Sequence, residues 1–432
     1  MTAKRLRQAL ESAAIPILAT ILGLLVSSVI VLFARADPMQ TYEHLFCEGF
    51  GPKGCQTFGN LLFMDVKTDN GTQTVFSLFY GAQGHALGVT LERATILILA
   101  ALSATVAFKA GLFSIGMDGQ LVLGAITAAF LGYALPDLIY GLAGISQPQA
   151  APGALQTVMH LVVPALCIGA AMLVGAFYSW IAGYLKVKLN VNELISTIVL
   201  NAIAVQLVGY LINFPLRSDF NNIARTRRID DTAWLVPFNR GLFLNSEWFS
   251  GSRVGIGIIL ALLAALVIWF FLWRTTAGYE QRMASGSRLF ARFGGIPNER
   301  AALRAMLISG ALSGLAGAIQ ILGVERRVVD GFAGAGLGFD GVLVAILAKE
   351  SIGGILVVAV FFAGLQQGAI NLQFANLPRQ LGGIIIALII LFSSMENFFR
   401  TNLARIQARL RPPQRAVDAA AEGVAAAGGG AT

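Results

Sequence analysis

Uncharged apolar runs long enough to cross a bilayer recur along this chain, and they constrain its fold more than any other feature. Ile15–Phe33, Val254–Trp273, Ala305–Val324 and Ser351–Pro378 each lack Asp, Glu, Lys and Arg. A spanning helix needs about 20 predominantly apolar residues. Charged residues make up only 12% of the chain, against roughly 25% in soluble proteins, so no room remains for a large soluble domain. The expected fold is an all-α polytopic membrane protein with about ten transmembrane helices, some broken or re-entrant, and cytoplasmic N- and C-termini. The expected spans are residues 13–33, 91–108, 115–135, 159–184, 192–213, 254–273, 301–323, 339–349, 354–370 and 379–397. The eighth is too short to cross alone. It is tolerable as a broken element only where protein or water surrounds it.

A net charge of +8 raises nucleic acid as a partner, but the basic residues gather at the ends of apolar runs, which is the pattern of topology signals. Lys4, Arg5, Arg7, Lys109, Lys186, Lys188, Arg274, Arg282, Arg288, Arg292, Arg300 and Arg304 fall on the expected inside, as do the arginines from Arg400 to Arg415. Residues 214–253 disagree, since they fall outside yet carry Arg217, Arg225, Arg227, Arg228, Arg240 and Arg253. The first external loop is net acidic and holds Cys47 and Cys55, where a disulfide forms if the compartment is oxidising. Cys167 reads as a small core residue. The chain divides into an N-terminal helix and external loop (1–90), a transmembrane domain (91–397), and a cytoplasmic tail (398–432) that is basic, then Ala/Gly-rich and disordered. Gly310, Gly314 and Ala318 form one small-residue row, and Ser309, Ser313 and Gly317 a second, so a close helix approach is expected there.

Four segments interrupt the apolar sequence with polar residues and glycines: Gly111–Gln120, Asn192–Asn201, the loop 278–296, and Gly336–Gly341. On them the chain resembles the membrane permeases of ABC importers for nucleosides and simple sugars, within the branched-chain amino acid and ribose permease superfamily. That family reads Gly-Leu-Phe-Asn-Ile-Gly-x-Glu-Gly-Gln at the first segment, where this chain has Ser114 and Asp118 for Asn and Glu. The second segment differs from the family only by Val199 in place of Met, and the fourth, Gly-Leu-Gly-Phe-Asp-Gly, matches without change. In the third, Arg282 and the run Ala291–Ile296 fit, while Met283, Ser285 and Ser287 depart. The resemblance covers about residues 90–395 and leaves the stretch from Cys47 to Gly71 as an insertion.

Asp118, Gln120, Asn192, Glu193, Ser196, Asn201, Gln206 and Asp340 are the substrate-path candidates. A carboxylate near hydrocarbon faces protein or water, and Asp118 reads either that way or as a helix-end group at the cytoplasmic interface. Asn192 reads as a helix cap, with Glu193 in the first turn. Asn201 and Gln206 lie deeper, as interhelical hydrogen-bonding groups or pore-lining ones. Asp340 either caps the eighth element or lines the path. Gly278, Arg282, Met283, Ser285, Leu289, Phe290, Arg292 and Gly295 are the coupling candidates. A merely solvated loop has no need of Met283, Leu289 and Phe290. The resemblance implies that this segment is the coupling helix resting on an ATPase subunit.

No lysine follows a glycine, so the phosphate-cradling Gly-Lys motif is absent. His44, His85 and His160 are too far apart for a His-Glu-x-x-His metal pair, and no nucleophile–base pair stands out. The chain reads as a transport subunit and not an enzyme. It carries no cofactor or metal of its own, and a partner ATPase binds ATP and Mg. The resemblance implies further partners: a second permease paralogue and an external substrate-binding lipoprotein, in the lipid of a bacterial inner membrane. The competing reading is a stand-alone secondary transporter of small polar solutes, although no internal repeat supports it.

Overall fold

The computed structural model describes residues 20–51, 55, 63–68, 71–76, 85–144, 152–218, 223–238, 252–332, 336–375 and 377–395. The expected cytoplasmic N-terminus and the basic C-terminal tail lie outside them. The described chain is almost entirely helical. Its helices are α1 (Thr20–Phe33), α2 (Pro38–Phe50), α3 (His85–Phe108), α4 (Met117–Leu142), α5 (Gly153–Leu189), α6 (Glu193–Asn213), α7 (Ile256–Arg274), α8 (Thr276–Gly286), α9 (Arg288–Phe293), α10 (Asn298–Ile319), α11 (Leu337–Leu347), α12 (Ile352–Asn371) and α13 (Arg379–Ser394). Seven helices are long and apolar enough to cross a membrane, or eight if α1 and α2 are taken as one broken span. The 11-residue α11 falls short, as expected from its sequence, and so does α13.

Two compact units result, Met39–Gly382 and the combination of residues up to Pro38 with those from Gly383 onward. The smaller unit holds α1 and most of α13, with Gly23 set against the backbone of Ile389. The larger is organised on α3 and α10, whose apolar stretches are 83% and 78% buried, whereas those of α5, α6 and α7 are 28% or less. The α10 glycines explain that centrality. Gly310 meets the backbone of Gly175, and Gly314 meets Ala171 on one side and Gly124 on the other. A Cβ at Gly310 or Gly314 would run into backbone atoms of α5, so only glycine permits this approach. The serine row stitches the same helix. Ser103 Oγ donates to the Ser309 carbonyl at 2.7 Å, and Ser313 Oγ to that of Met117 at 2.7 Å.

Two elements were not anticipated. The expected external loop contains α2, which buries Thr41, Leu45, Cys47 and Gly49. It lies against α12, with Gly49 on Gly364 and Gly368 on Leu45, and Thr90 Oγ1 donates to the Gly49 carbonyl at 2.5 Å. Cys47 and Cys55 form the disulfide that the sequence left open. The all-α expectation also needs amending for an antiparallel hairpin, β1 (Phe63–Thr68) with β2 (Gly71–Phe76), which begins in the insertion and runs past its end.

The arginine-rich segment between α6 and α7 is tied down. Its backbone pairs with residues after α10, through Thr226 N–H to the Val328 carbonyl at 2.9 Å and Ile229 N–H to that of Arg326 at 3.0 Å. Arg227 grips Asp137 with both guanidinium nitrogens, at 2.5 and 3.3 Å. Arg326 stacks over Trp234 at 3.2 Å from the ring centroid. Burial, with Arg225 and Arg228 nearby, pushes the Arg327 guanidinium below its ordinary range.

Candidate translocation site and coupling segment

Two helix beginnings meet inside the larger unit. Before α4 the chain runs from Leu112 to Ile115 without helical structure. The second helix start is that of α11, at Gly336 with φ +68°. Gly338 N–H donates to Asp118 Oδ1 at 3.0 Å, and a Cβ on Gly338 would strike the Asp118 backbone. Asp118 therefore sits in the first turn of α4 and at the N-terminus of α11, where two sets of helix N–H groups favour negative charge. From there α11 runs to Glu350, whose carboxylate pairs with Lys109 at 2.8 Å at the opposite end. Eleven residues of helix rise about 16 Å, roughly half of a 30 Å hydrocarbon layer. That rise separates Asp118 from the Lys109–Glu350 pair along α11.

The non-helical backbone before α4 is largely buried and needs hydrogen-bond partners. Asn201 on α6 supplies them: its Oδ1 accepts from Gly119 N–H at 2.9 Å and its Nδ2 donates to the Ile115 carbonyl at 2.7 Å. Asn201 is therefore interhelical glue, one of its two expected readings. Asp340 does not cap α11; its Oδ2 accepts from Gln366 Nε2 at 2.7 Å and so links α11 to α12. Gln120 is buried close by, and its Oε1 has no hydrogen-bond partner.

The other path candidates lie apart from this junction. Asn192 caps α6 by accepting from Leu194 N–H at 2.9 Å. Glu193 pairs with Lys186 at 2.7 Å across the α5–α6 turn, and Ser196 Oγ donates back to the Glu193 carbonyl. Gln206 lies on an exposed face of α6 among Ile203, Leu207 and Tyr210. Gln366 belongs to the junction but escaped the sequence reading, and Thr197, inside the segment Asn192–Asn201, belongs to it too but was not among the path candidates. Thr197 Oγ1 accepts from Ile115 N–H at 3.4 Å, and an amide or hydroxyl deep in an apolar run was the available signal.

The profile of the family described as "Branched-chain amino acid transport system / permease component" matches residues 87–394. The chain belongs to this family. It is 30% identical to the guanosine ABC transporter permease protein of Bacillus subtilis over 91% of this chain and 96% of that one. The nucleoside ABC transporter permease protein of Lactococcus lactis subsp. cremoris is 28% identical over 91% and 94%. The glucose ABC transporter permease protein of Haloferax volcanii is 28% identical over 89% and 88%. No solved structure matches the chain significantly. The stand-alone secondary transporter is set aside, because the shared sequence is that of an ABC permease over nearly the full length.

Within this permease the coupling candidates split into two groups. Those on α8 attach to the membrane domain. Gly278 packs under the backbone of Phe271 and Leu272, and Arg282 lies 4.3 Å from the Trp273 ring centroid. Gln281 Nε2 donates to the Val106 carbonyl at 2.6 Å, and Arg304 donates to the Ala277 carbonyl at 2.7 Å. Met283 is half-buried, and Ser285 sits over Gly111. The α9 group points away. Ser287 caps that helix by accepting from Phe290 N–H at 3.3 Å. Leu289, Phe290 and Phe293 are 71%, 68% and 91% exposed, with Arg292 exposed beside them. Phe293 was missing from the candidates although it is the most exposed of the three. Gly295, at φ +76°, ends the turn so that Ile296 N–H reaches the Ala291 carbonyl.

Proposed function

We propose that this chain is one of two membrane subunits of an ATP-driven importer of nucleosides in a bacterial inner membrane. The observation that carries the mechanism is the bare apolar face of α9 beside a firmly held α8. A soluble surface keeps contiguous apolar area small, and an exposed cluster of this kind fits a docking partner. That partner is a cytosolic ATPase, which binds the ATP and Mg; this subunit does no chemistry of its own. Closure of the ATPase domains pushes α9, and α8 passes the push to the ends of α3, α7 and α10. The permease pair then switches between outward- and inward-facing states, a rigid-body change between two populations. Substrate choice follows the two relatives whose names specify guanosine and nucleosides.

The second membrane subunit is a permease paralogue, and an external lipoprotein delivers the substrate. Beside the seven long helices, we take α1, α13 and the short α11 as three further crossings, ten in all. That even number keeps both termini and the coupling segment on the cytoplasmic side. The disulfide then faces the oxidising side.

The test is reconstitution in liposomes with the ATPase, the second permease and the binding protein, measuring labelled guanosine uptake with and without ATP. ATP-dependent uptake is expected. Uptake by this chain alone on a proton gradient would sink the proposal. ATP-dependent glucose uptake that guanosine does not compete for would keep the permease and replace the substrate.

A further inference from the structure

A cavity of about 380 Å³ opens among α3, α10, α12 and the segment that follows α10. That volume lies at the lower end of the 300–1,000 Å³ usual for small-molecule sites. Its polar lining is Glu92 and Arg93 of α3, Gln320 and Glu325 directly after α10, and Gln366 of α12. Val89, Ile96, Leu97 and Phe332 supply an apolar wall.

Two features mark it as built for a ligand. The turn that continues the chain directly after α10, Gln320–Glu325, is π-helical. In an α-helix, residues five apart diverge by roughly 140°, but here Gln320 Nε2 reaches Glu325 Oε1 at 3.3 Å. Such π-turns concentrate at functional sites. Gln320 is also only 8% exposed, and its Oε1 has no hydrogen-bond partner. A buried acceptor left unsatisfied is costly, and a donor on a ligand would relieve that cost.

The charges narrow the ligand. On the wall Glu92 and Glu325 face Arg93, and Arg253, which donates its backbone N–H to Glu92 and its guanidinium to the Val324 carbonyl, balances the second carboxylate, so the excess negative charge comes from behind the wall. Just behind it, Gln366 holds the Asp340 carboxylate. A phosphate or carboxylate is repelled, whereas a neutral solute rich in hydroxyl and amide donors finds acceptors and an apolar wall for a base.

We propose that this cavity is a binding site, within a single permease subunit, for a neutral nucleoside-sized solute. Gln320, Gln366 and the two glutamates take its hydroxyl and amide groups, and nucleotides are excluded. The identity of the solute rests on the nucleoside reading above.

The experiment uses the reconstituted importer with Val89→Cys as a reporter. Guanosine is expected to slow modification of that cysteine by a cationic methanethiosulfonate several-fold, and guanosine monophosphate to leave the rate unchanged. Gln320→Leu is expected to raise the half-saturating guanosine concentration about five- to tenfold, the loss of one or two neutral hydrogen bonds. In an importer that does move guanosine, an unprotected Val89→Cys overturns the site and leaves the function standing. Equal protection by the monophosphate overturns the charge argument. If the importer moves glucose instead, the nucleoside reading fails, and protection by glucose decides the cavity separately.

Discussion

Two arginine-rich segments of this permease are built from similar residues and do opposite things. Residues 223–238 contain Arg225, Arg227 and Arg228, and residues 274–300 contain Arg274, Arg282, Arg288, Arg292 and Arg300. In the first, most of the charges and apolar residues are used locally, with Ile223, 62% exposed, left out. Arg227 holds Asp137, Arg228 lies 3.6 Å from Asp231, and Ile229, Ala233, Trp234 and Leu235 are buried. In the second, α8 is spent on the membrane domain but α9 leaves Leu289, Phe290 and Phe293 in the open. Counting positive charge alone puts both segments on the same side of a membrane. Whether the neighbouring apolar side chains have found a place is what separates a structural strap from a docking surface.

The sharpest way to break this contrast is Phe290→Asp. A hydrophobic anchor buried at an interface is worth about 2 kcal/mol or more, and a carboxylate put there adds a desolvation cost. ATP-dependent uptake and co-purification of the ATPase should both fall at least about tenfold. The isolated permease should keep its melting temperature, since Phe290 is 68% exposed. Undiminished co-purification would reduce α9 to a positively charged anchor. Crosslinking to the ATPase should be stronger from a cysteine at Phe293 than from one at Ser285, which is exposed but packs on Gly111 and reaches the Phe108 carbonyl.

The next largest effect belongs to the held half of the same segment. Gly278→Val places a side chain against the Phe271 and Leu272 backbone. Overpacking of this kind costs typically about 1–3 kcal/mol. Thermal unfolding of the purified permease should start at lower temperature, and uptake should drop with ATP hydrolysis retained, because α8 is pried from α7. An unshifted melt with normal uptake would mean that α8 is no better attached than α9.

Most of the larger unit was legible in the sequence, because a spanning helix advertises itself by an uninterrupted apolar run. Asn192 as a cap and the small rows of α10 were legible for equally local reasons. The misses have physical causes. The buried face of α2 is Thr41, Leu45 and Gly49, spaced by four but too small and polar to register as apolar. The second expected span began at Leu91, whereas α3 begins at His85. That difference moves Glu92 and Arg93 from a helix edge into a helix that lines a cavity. The place of Asp118 depends on the start of α11 meeting that of α4, and no local pattern encodes where two helix starts meet. Gln206 is a different case: sequence marks it as costly in hydrocarbon, and the single subunit leaves it exposed.

The smallest expected effect tests the strap. Arg227 and Asp137 meet in a two-point grip, but their side chains are 62% and 49% exposed. Water screens such a pair, and exposed ion pairs measured by double-mutant cycles are worth roughly 0.2–1 kcal/mol. Arg227 also lies 5.7 Å from the Tyr133 ring centroid, which adds a contact that Asp137→Ala would leave in place. Arg227→Ala should therefore destabilise the permease slightly more than Asp137→Ala. The double variant should fall short of the sum by the pair's own energy, and nucleoside uptake should stay within about twofold of the parent. A large loss of uptake with an unchanged melting temperature would show that this segment, like α9, serves a partner, and would erase the distinction between the two arginine-rich regions.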